Sequence, residues 1–237
     1  MTAAAMTAAD TLAADTLTTT STADTVSASF LRCLERSRLS GTPYTHWLLS
    51  EALPEDAADA IADLPWGPPR VSDTYGKRET NNASRTYFGE ENRAKYAVCE
   101  TVAQAFQGRP VVEAIQRTCN VDLSGTSLRI EYCQDTDGFW LEPHTDIGVK
   151  KFTMLIYLSK GPNCSHWGTD VLDETRTVVA RAPYAFNEGL IFIPAGNTWH
   201  GFEKRSIDGV RKSIIVNYVG PEWRARQELC FPDKPIA

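Results

Sequence analysis

The feature that most limits what this chain can fold into is a change of pattern near Val121. Beyond it, short runs of β-branched and aromatic residues alternate with Gly, Pro, Asn and Asp. Six runs read as strands: residues 127–133, 152–158, 176–181, 190–193, 200–204 and 211–219. That many short strands with no helix between them predict an antiparallel sandwich or barrel. The preceding stretch, residues 29–120, reads as helical. Phe30, Leu31 and Leu34 open an amphipathic segment, and residues 54–64 start with Pro and acids ahead of Ala and Ile. Residues 91–106 form the clearest helix, stopped by Gly108, and Pro110 opens another through Ile115. The polar stretch 75–92 is too long for a tight turn and is expected to be a loop over a site. Residues 1–28 are nearly all Ala, Thr, Asp, Ser and Leu, and are expected to be a low-complexity flexible leader. The expectation is one α+β domain over residues 29–237, with 29–120 as helical support and 121–237 as the β core.

Composition narrows the function classes. The chain has 237 residues and a formal net charge of -6, with no dense Lys/Arg run, which argues against nucleic acid as a partner. Its six cysteines are scattered without CxxC pairing, as in a reducing compartment. Nothing resembles a signal peptide, and no stretch approaches the roughly 20 apolar residues needed to span a bilayer. A cytoplasmic protein acting on a small molecule, with no membrane partner, is expected. The oligomeric state is left open.

Four histidines occur, at 46, 144, 166 and 200. In Pro143-His144-Thr145-Asp146, the imidazole and the carboxylate are two residues apart, so on extended backbone they share a face. His200 lies 54 residues after Asp146, just beyond the turn signal Pro194-Ala195-Gly196-Asn197. Two His and one carboxylate on one face of an ion leave the opposite positions open, the arrangement of non-haem Fe(II) oxygenases. Ten residues separate His200 from Arg211, and Ser213 shares the strand face of Arg211. A guanidinium with a neighbouring hydroxyl, turned into an apolar barrel, suits a carboxylate. An inward arginine needs such a partner. His166 is a loop or substrate-facing histidine, and His46 is structural.

These residues resemble, in type, order and spacing, the iron(II)- and 2-oxoglutarate-dependent oxygenases, closest in layout to the prolyl-4-hydroxylase-like branch. The resemblance covers residues 128–219 and includes the strand Lys151-Phe152-Thr153-Met154-Leu155-Ile156-Tyr157-Leu158. It implies a double-stranded β-helix, or jelly-roll, with helices packed on one side. It implies that His144, Asp146 and His200 hold Fe(II) as the catalytic metal site, that Arg211 and Ser213 bind the far carboxylate of 2-oxoglutarate, and that Tyr132 helps hold this cosubstrate. The implied reaction uses O2 and releases succinate and CO2. A carboxylate at position 146 favours hydroxylation over halogenation, since related halogenases carry a small residue there. The branch's Gly-Gly-Glu-Thr segment is replaced by His166-Trp167-Gly168-Thr169-Asp170, so the substrate is not inherited.

Substrate contacts are expected from loops at the barrel mouth. The candidates are Arg78, Asn82, Arg85 and Tyr87 from the polar stretch, with Trp140 and Trp167 near the motif. The favoured reading is hydroxylation of a small molecule, an amino acid or another metabolite. The competing readings are a protein or peptide hydroxylase of the same chemistry, a non-catalytic metal-binding jelly-roll sensor, and a zinc hydrolase.

Overall fold

The computed structural model describes residues 20–77 and 85–237. Helix α1, Ala23–Arg36, is started by a capping box in which Thr22 and Thr25 satisfy each other's backbone N–H groups. Residues 23–28, expected in the leader, therefore form its first turns. Their Ala and Ser content hid a stripe of Val26, Ser29, Phe30, Cys33 and Leu34 at helical spacing, all buried. Thr20 and Ser21 are tied to the Asp56 carboxylate at the start of α2, Glu55–Ala62. The helix expected over 91–106 is two helices, α3 (Glu90–Lys95) and α4 (Ala97–Gln107). Tyr96 between them is extended, with its ring edge-on to Trp66 at 5.5 Å, so aromatic packing overrides local propensity. Helix α5, Arg109–Cys119, follows Gly108 with Pro at its start and ends on left-handed Asn120.

The strands, in chain order, are β1 (Arg38–Ser40), β2 (His46–Leu49), β3 (Thr86–Tyr87), β4 (Ser127–Asp135), β5 (Leu141–His144), β6 (Lys150–Tyr157), β7 (Asp170–Leu172), β8 (Val178–Arg181), β9 (Gly189–Phe192), β10 (His200–Phe202) and β11 (Arg211–Val219). They form a seven-stranded antiparallel sheet in the order β1-β2-β9-β6-β11-β4-β3 and a four-stranded one in the order β5-β10-β7-β8. The strands that sequence did not mark, β1, β2, β3, β5 and β7, are two to four residues long, too short for alternation to show. Three of them, β1, β2 and β3, lie in the half that reads as helical.

Side-chain alternation divides the larger sheet between two cores. Met154 and Ile156 of β6, Ile191 of β9 and Ile214 and Val216 of β11 pack with the helices. Their neighbours Leu155, Tyr157, Leu190 and Phe192 pack with Val171 and Phe202 of the smaller sheet. The helices thus cover one face, and the space between the sheets is lined by the other. Among the described residues, no helix is long and apolar enough to cross a membrane.

Candidate active site

The site lies between the two sheets, where β5 and β10 meet. Pro143 has no N–H to give to β10, and the pairing skips there: Leu141 faces Phe202 and His144 faces His200, with a register shift between. The bulge sets the two imidazoles side by side, with ring centroids 4.3 Å apart. Each ring bonds through Nδ1 to a backbone carbonyl two residues earlier, His144 to Glu142 at 2.8 Å and His200 to Thr198 at 2.9 Å. A carbonyl only accepts, so each Nδ1 carries a hydrogen and each Nε2 is the ring atom left for another partner. Burial, followed by the charge of His144, pushes His200 down to about 4, so it is neutral at pH 7. Two imidazoles held in place through Nδ1, with Nε2 left over on each ring, are suited to bind a metal.

Asp146 follows in the turn after β5. Burial alone would raise its carboxyl. The Lys150 charge and hydrogen bonds from Lys150 and Thr153 outweigh that and hold it at about 2, fully ionised. Lys150 Nζ donates to Oδ1 at 2.5 Å and Thr153 Oγ1 to Oδ2 at 2.6 Å. Both oxygens are engaged, and among the described residues no group of three His, Cys, Asp or Glu side chains is gathered to hold a metal as it stands. The donor chemistry fits a divalent ion: two lone-pair imidazoles and one carboxylate kept anionic. Ligation by Asp146 requires the ion to take the place of the Lys150 ammonium.

Arg211 lies deeper in the same cavity, which measures about 310 Å³ and is also lined by His144, Asp146 and His200. Its guanidinium is not idle. Nη1 pairs with Asp135 at 2.5 Å, Nε donates to the Trp167 carbonyl at 2.7 Å, and Phe202 packs under it at 4.8 Å. The partner that sequence assigned to a bound carboxylate is thus supplied in part by the protein. Ser213, two residues along on the same strand face, is fully buried, and its hydroxyl has no hydrogen-bond partner. A buried, unpartnered hydroxyl beside an arginine fits a carboxylate ligand.

Tyr132 is a correction. It pairs in register with Ile214, on the strand face turned to the helices, packs edge-on to Trp66 at 5.2 Å and reaches the Ala62 carbonyl at 3.4 Å. It is one residue out of phase with the cavity. Trp167 is also core rather than lining: it is 3% exposed, edge-on to Tyr184, and serves the site through its carbonyl. Trp140 is held by Asp73 and stands outside the cavity lining, as does Tyr87, which packs against Arg129 at 4.8 Å. Arg85 does line the cavity. Arg78 and Asn82 fall outside the described residues. His46 is buried with Nδ1 on the Tyr44 carbonyl, a structural histidine, and His166 contacts Ser206 away from the cavity.

Sequence reading missed the polar wall on β4. Arg129 and Glu131 line the cavity, and Arg129 gives Nε to Glu228, Nη1 to Asn217 and Nη2 to Glu131. Asn217 in turn donates to Thr153, which donates to Asp146, so a continuous chain of polar contacts joins this wall to the carboxylate. The signal was present. In Leu128-Arg129-Ile130-Glu131-Tyr132 the charges alternate with apolar residues, and alternating charges on a central strand must face a common polar interior.

In overall form the chain is similar to a prolyl 4-hydroxylase of Phytophthora capsici, with TM-score 0.59, 11% identity, and 86% of this chain and 68% of that one covered. It is also similar to a prolyl hydroxylase of Trichoplax adhaerens in complex with a hypoxia inducible factor oxygen degradation domain peptide fragment (TM-score 0.54, 12% identity, 83% and 90% covered). A prolyl-4-hydroxylase of Pseudomonas putida gives TM-score 0.51 at 14% identity, with 82% and 94% covered. No protein-family model and no curated protein sequence matches the chain. The likeness is one of fold: two antiparallel sheets and flanking helices arranged as in the prolyl hydroxylases.

Proposed function

We propose that the protein is an Fe(II)- and 2-oxoglutarate-dependent dioxygenase that hydroxylates an unactivated carbon of a small molecule, built on a double-stranded β-helix. The observation that carries the reading is the pair His144 and His200, set opposite one another by the β5–β10 bulge with both Nδ1 hydrogens spent on backbone carbonyls. With Asp146 they would hold a divalent ion once it displaced the Lys150 ammonium. When bound, iron and 2-oxoglutarate supply the oxidation of a carbon by O2, coupled to release of succinate and CO2.

The chain's own residues do the positioning. The carbonyls of Glu142 and Thr198 fix the imidazole tautomers. Thr153 holds one oxygen of Asp146 and so limits how the carboxylate turns. Arg211, braced by Asp135 and the Trp167 carbonyl, offers the rest of its guanidinium, and Ser213 its hydroxyl, to the far carboxylate of the cosubstrate. Phe202, Leu155 and Ile215 supply apolar lining to the same cavity as Arg211 and the two histidines, a surface that disfavours water there. A cavity of about 310 Å³ that must also admit the cosubstrate favours a small substrate over a peptide.

The test is an anaerobic titration of the purified protein with Fe(II) and then 2-oxoglutarate, followed by the visible metal-to-ligand charge-transfer band. A band that needs both additions and is lost in His144→Ala is expected. Iron binding without a band on addition of 2-oxoglutarate would overturn the reading and favour a metal-binding sensor.

A further inference from the structure

Resting on the dioxygenase reading above, we infer that Arg85 is the receptor for a carboxylate on the substrate, which makes the substrate a small free carboxylic acid of amino-acid size rather than an amide-linked residue of a chain. Among the described residues, four cations line the cavity beyond Arg211, and they are not equivalent. Lys150 is committed to Asp146, and Arg129 has given Nε, Nη1 and Nη2 to protein acceptors. Lys77 is exposed at the rim. Among the described residues, Arg85 is the one that is both partly sheltered, with its side chain 19% exposed, and short of acceptors. Its Nε stands 3.3 Å from Glu131 without forming a hydrogen bond, and that contact anchors one edge of the guanidinium. On the same wall the Trp223 indole N–H is buried with no acceptor. With Nε turned to Glu131, the two Nη groups of Arg85 have no acceptor among the described residues, and the unpartnered Trp223 N–H lines the same cavity; a planar carboxylate matches this set of donors.

The position distinguishes this carboxylate from that of the cosubstrate. On β4 Glu131, which anchors Arg85, lies four residues from Asp135, which braces Arg211, about 13 Å along the strand. In the other direction it is one step of alternation from Arg129, whose register neighbours across the sheet are Asn217 and Thr153, the residue that holds Asp146. The Arg85 guanidinium, held at Glu131, therefore stands on the metal-ligand side of Arg211, between the Asp135 level and the Thr153 level.

The experiment is anaerobic calorimetric titration of the protein loaded with Fe(II) and 2-oxoglutarate. The probes are the common free amino acids and short aliphatic carboxylic acids, each beside its primary amide. At least one acid is expected to bind while its amide does not. Arg85→Ala should weaken that acid about 10- to 100-fold, and Arg85→Lys should restore part of the loss. Because Glu131 keeps its bond from Arg129, removing Arg85 does not orphan it, and the charge-transfer band of the variant should equal that of the wild type. A normal band with no acid bound overturns the inference alone, as do equal binding of acid and amide or unchanged affinity in Arg85→Ala. Absence of the band in the wild type overturns the dioxygenase reading and the inference with it.

Discussion

Removing Arg211 should cost the protein two separate things, and the structure indicates how to tell them apart. Arg211 is 2% exposed and is the cation paired with Asp135, itself 4% exposed. In Arg211→Met the Asp135 carboxylate is left buried without its cation, and the Trp167 carbonyl loses its donor. Breaking a buried pair from one side costs about 3–5 kcal/mol, which for a chain of this size lowers Tm by about 6–20 °C. Replacing both charges leaves neither orphaned, so Arg211→Met/Asp135→Asn should return to within about 1–2 kcal/mol of the wild type. Cosubstrate binding follows the arginine and not the stability. The charge-transfer band with Fe(II) and 2-oxoglutarate should be lost in both variants and kept, weakened, in Asp135→Asn. The assay is a thermal melt by circular dichroism beside the anaerobic titration. A single variant that melts within about 2 °C of the wild type would refute the assignment of a buried pair. A double variant that recovers both stability and the band would refute the role of Arg211 in binding.

Lys150→Met removes the ammonium that competes for Asp146 and leaves the carboxylate uncompensated until a cation arrives. Divalent metal should then bind about tenfold tighter or more, read as a larger rise in Tm on adding Mn(II), and weaker binding would show that Lys150 holds the ligand in place. Tyr132→Phe loses only a 3.4 Å contact to the Ala62 carbonyl, so the change in stability should stay below about 1 kcal/mol and 2-oxoglutarate affinity should not change. A clear loss of affinity would return Tyr132 to the site. At Gly189 an added Cβ would come within 2.3 Å of the Leu155 carbonyl oxygen, so Gly189→Ala should separate β9 from β6 and sharply reduce the yield of folded protein, as measured by gel filtration.

Much of this was legible in the chain because chemistry-bearing residues fall at fixed offsets. Arg211 and Ser213 fall on one face of β11 by period; His144 closes β5 and Asp146 lies beyond its end, so alternation led to the pair although only one of the two is on the strand. What was not legible has physical causes. Strands of two to four residues, such as β3 and β5, carry too few alternations to be distinguished from loop, and their pairing is set by distant partners. Tyr132 was misplaced because a strand's phase relative to a cavity depends on the sheet it joins: its neighbours Glu131 and Cys133 have the opposite phase. The Asp135 brace on Arg211 spans 76 residues, and no local pattern announces it. The Lys150 contact to Asp146, only four residues away, was within reach of sequence, but which of Lys150 and Lys151 turns inward depends on where β6 begins its pleat.

The strand β6 alternates between the two cores residue by residue, and this limits how such a chain can change over time. Loss or gain of a single residue within Lys150–Tyr157 would exchange every contact at once, sending Thr153 among the helices and Met154 toward the metal ligands. Substitutions along this strand can be tried one at a time, but changes of length cannot. Diversification of the protein is therefore confined to the segments that can lengthen without shifting a pleat. The connection between β6 and β7, residues 158–169, is one of these, and it borders the cavity at Thr169.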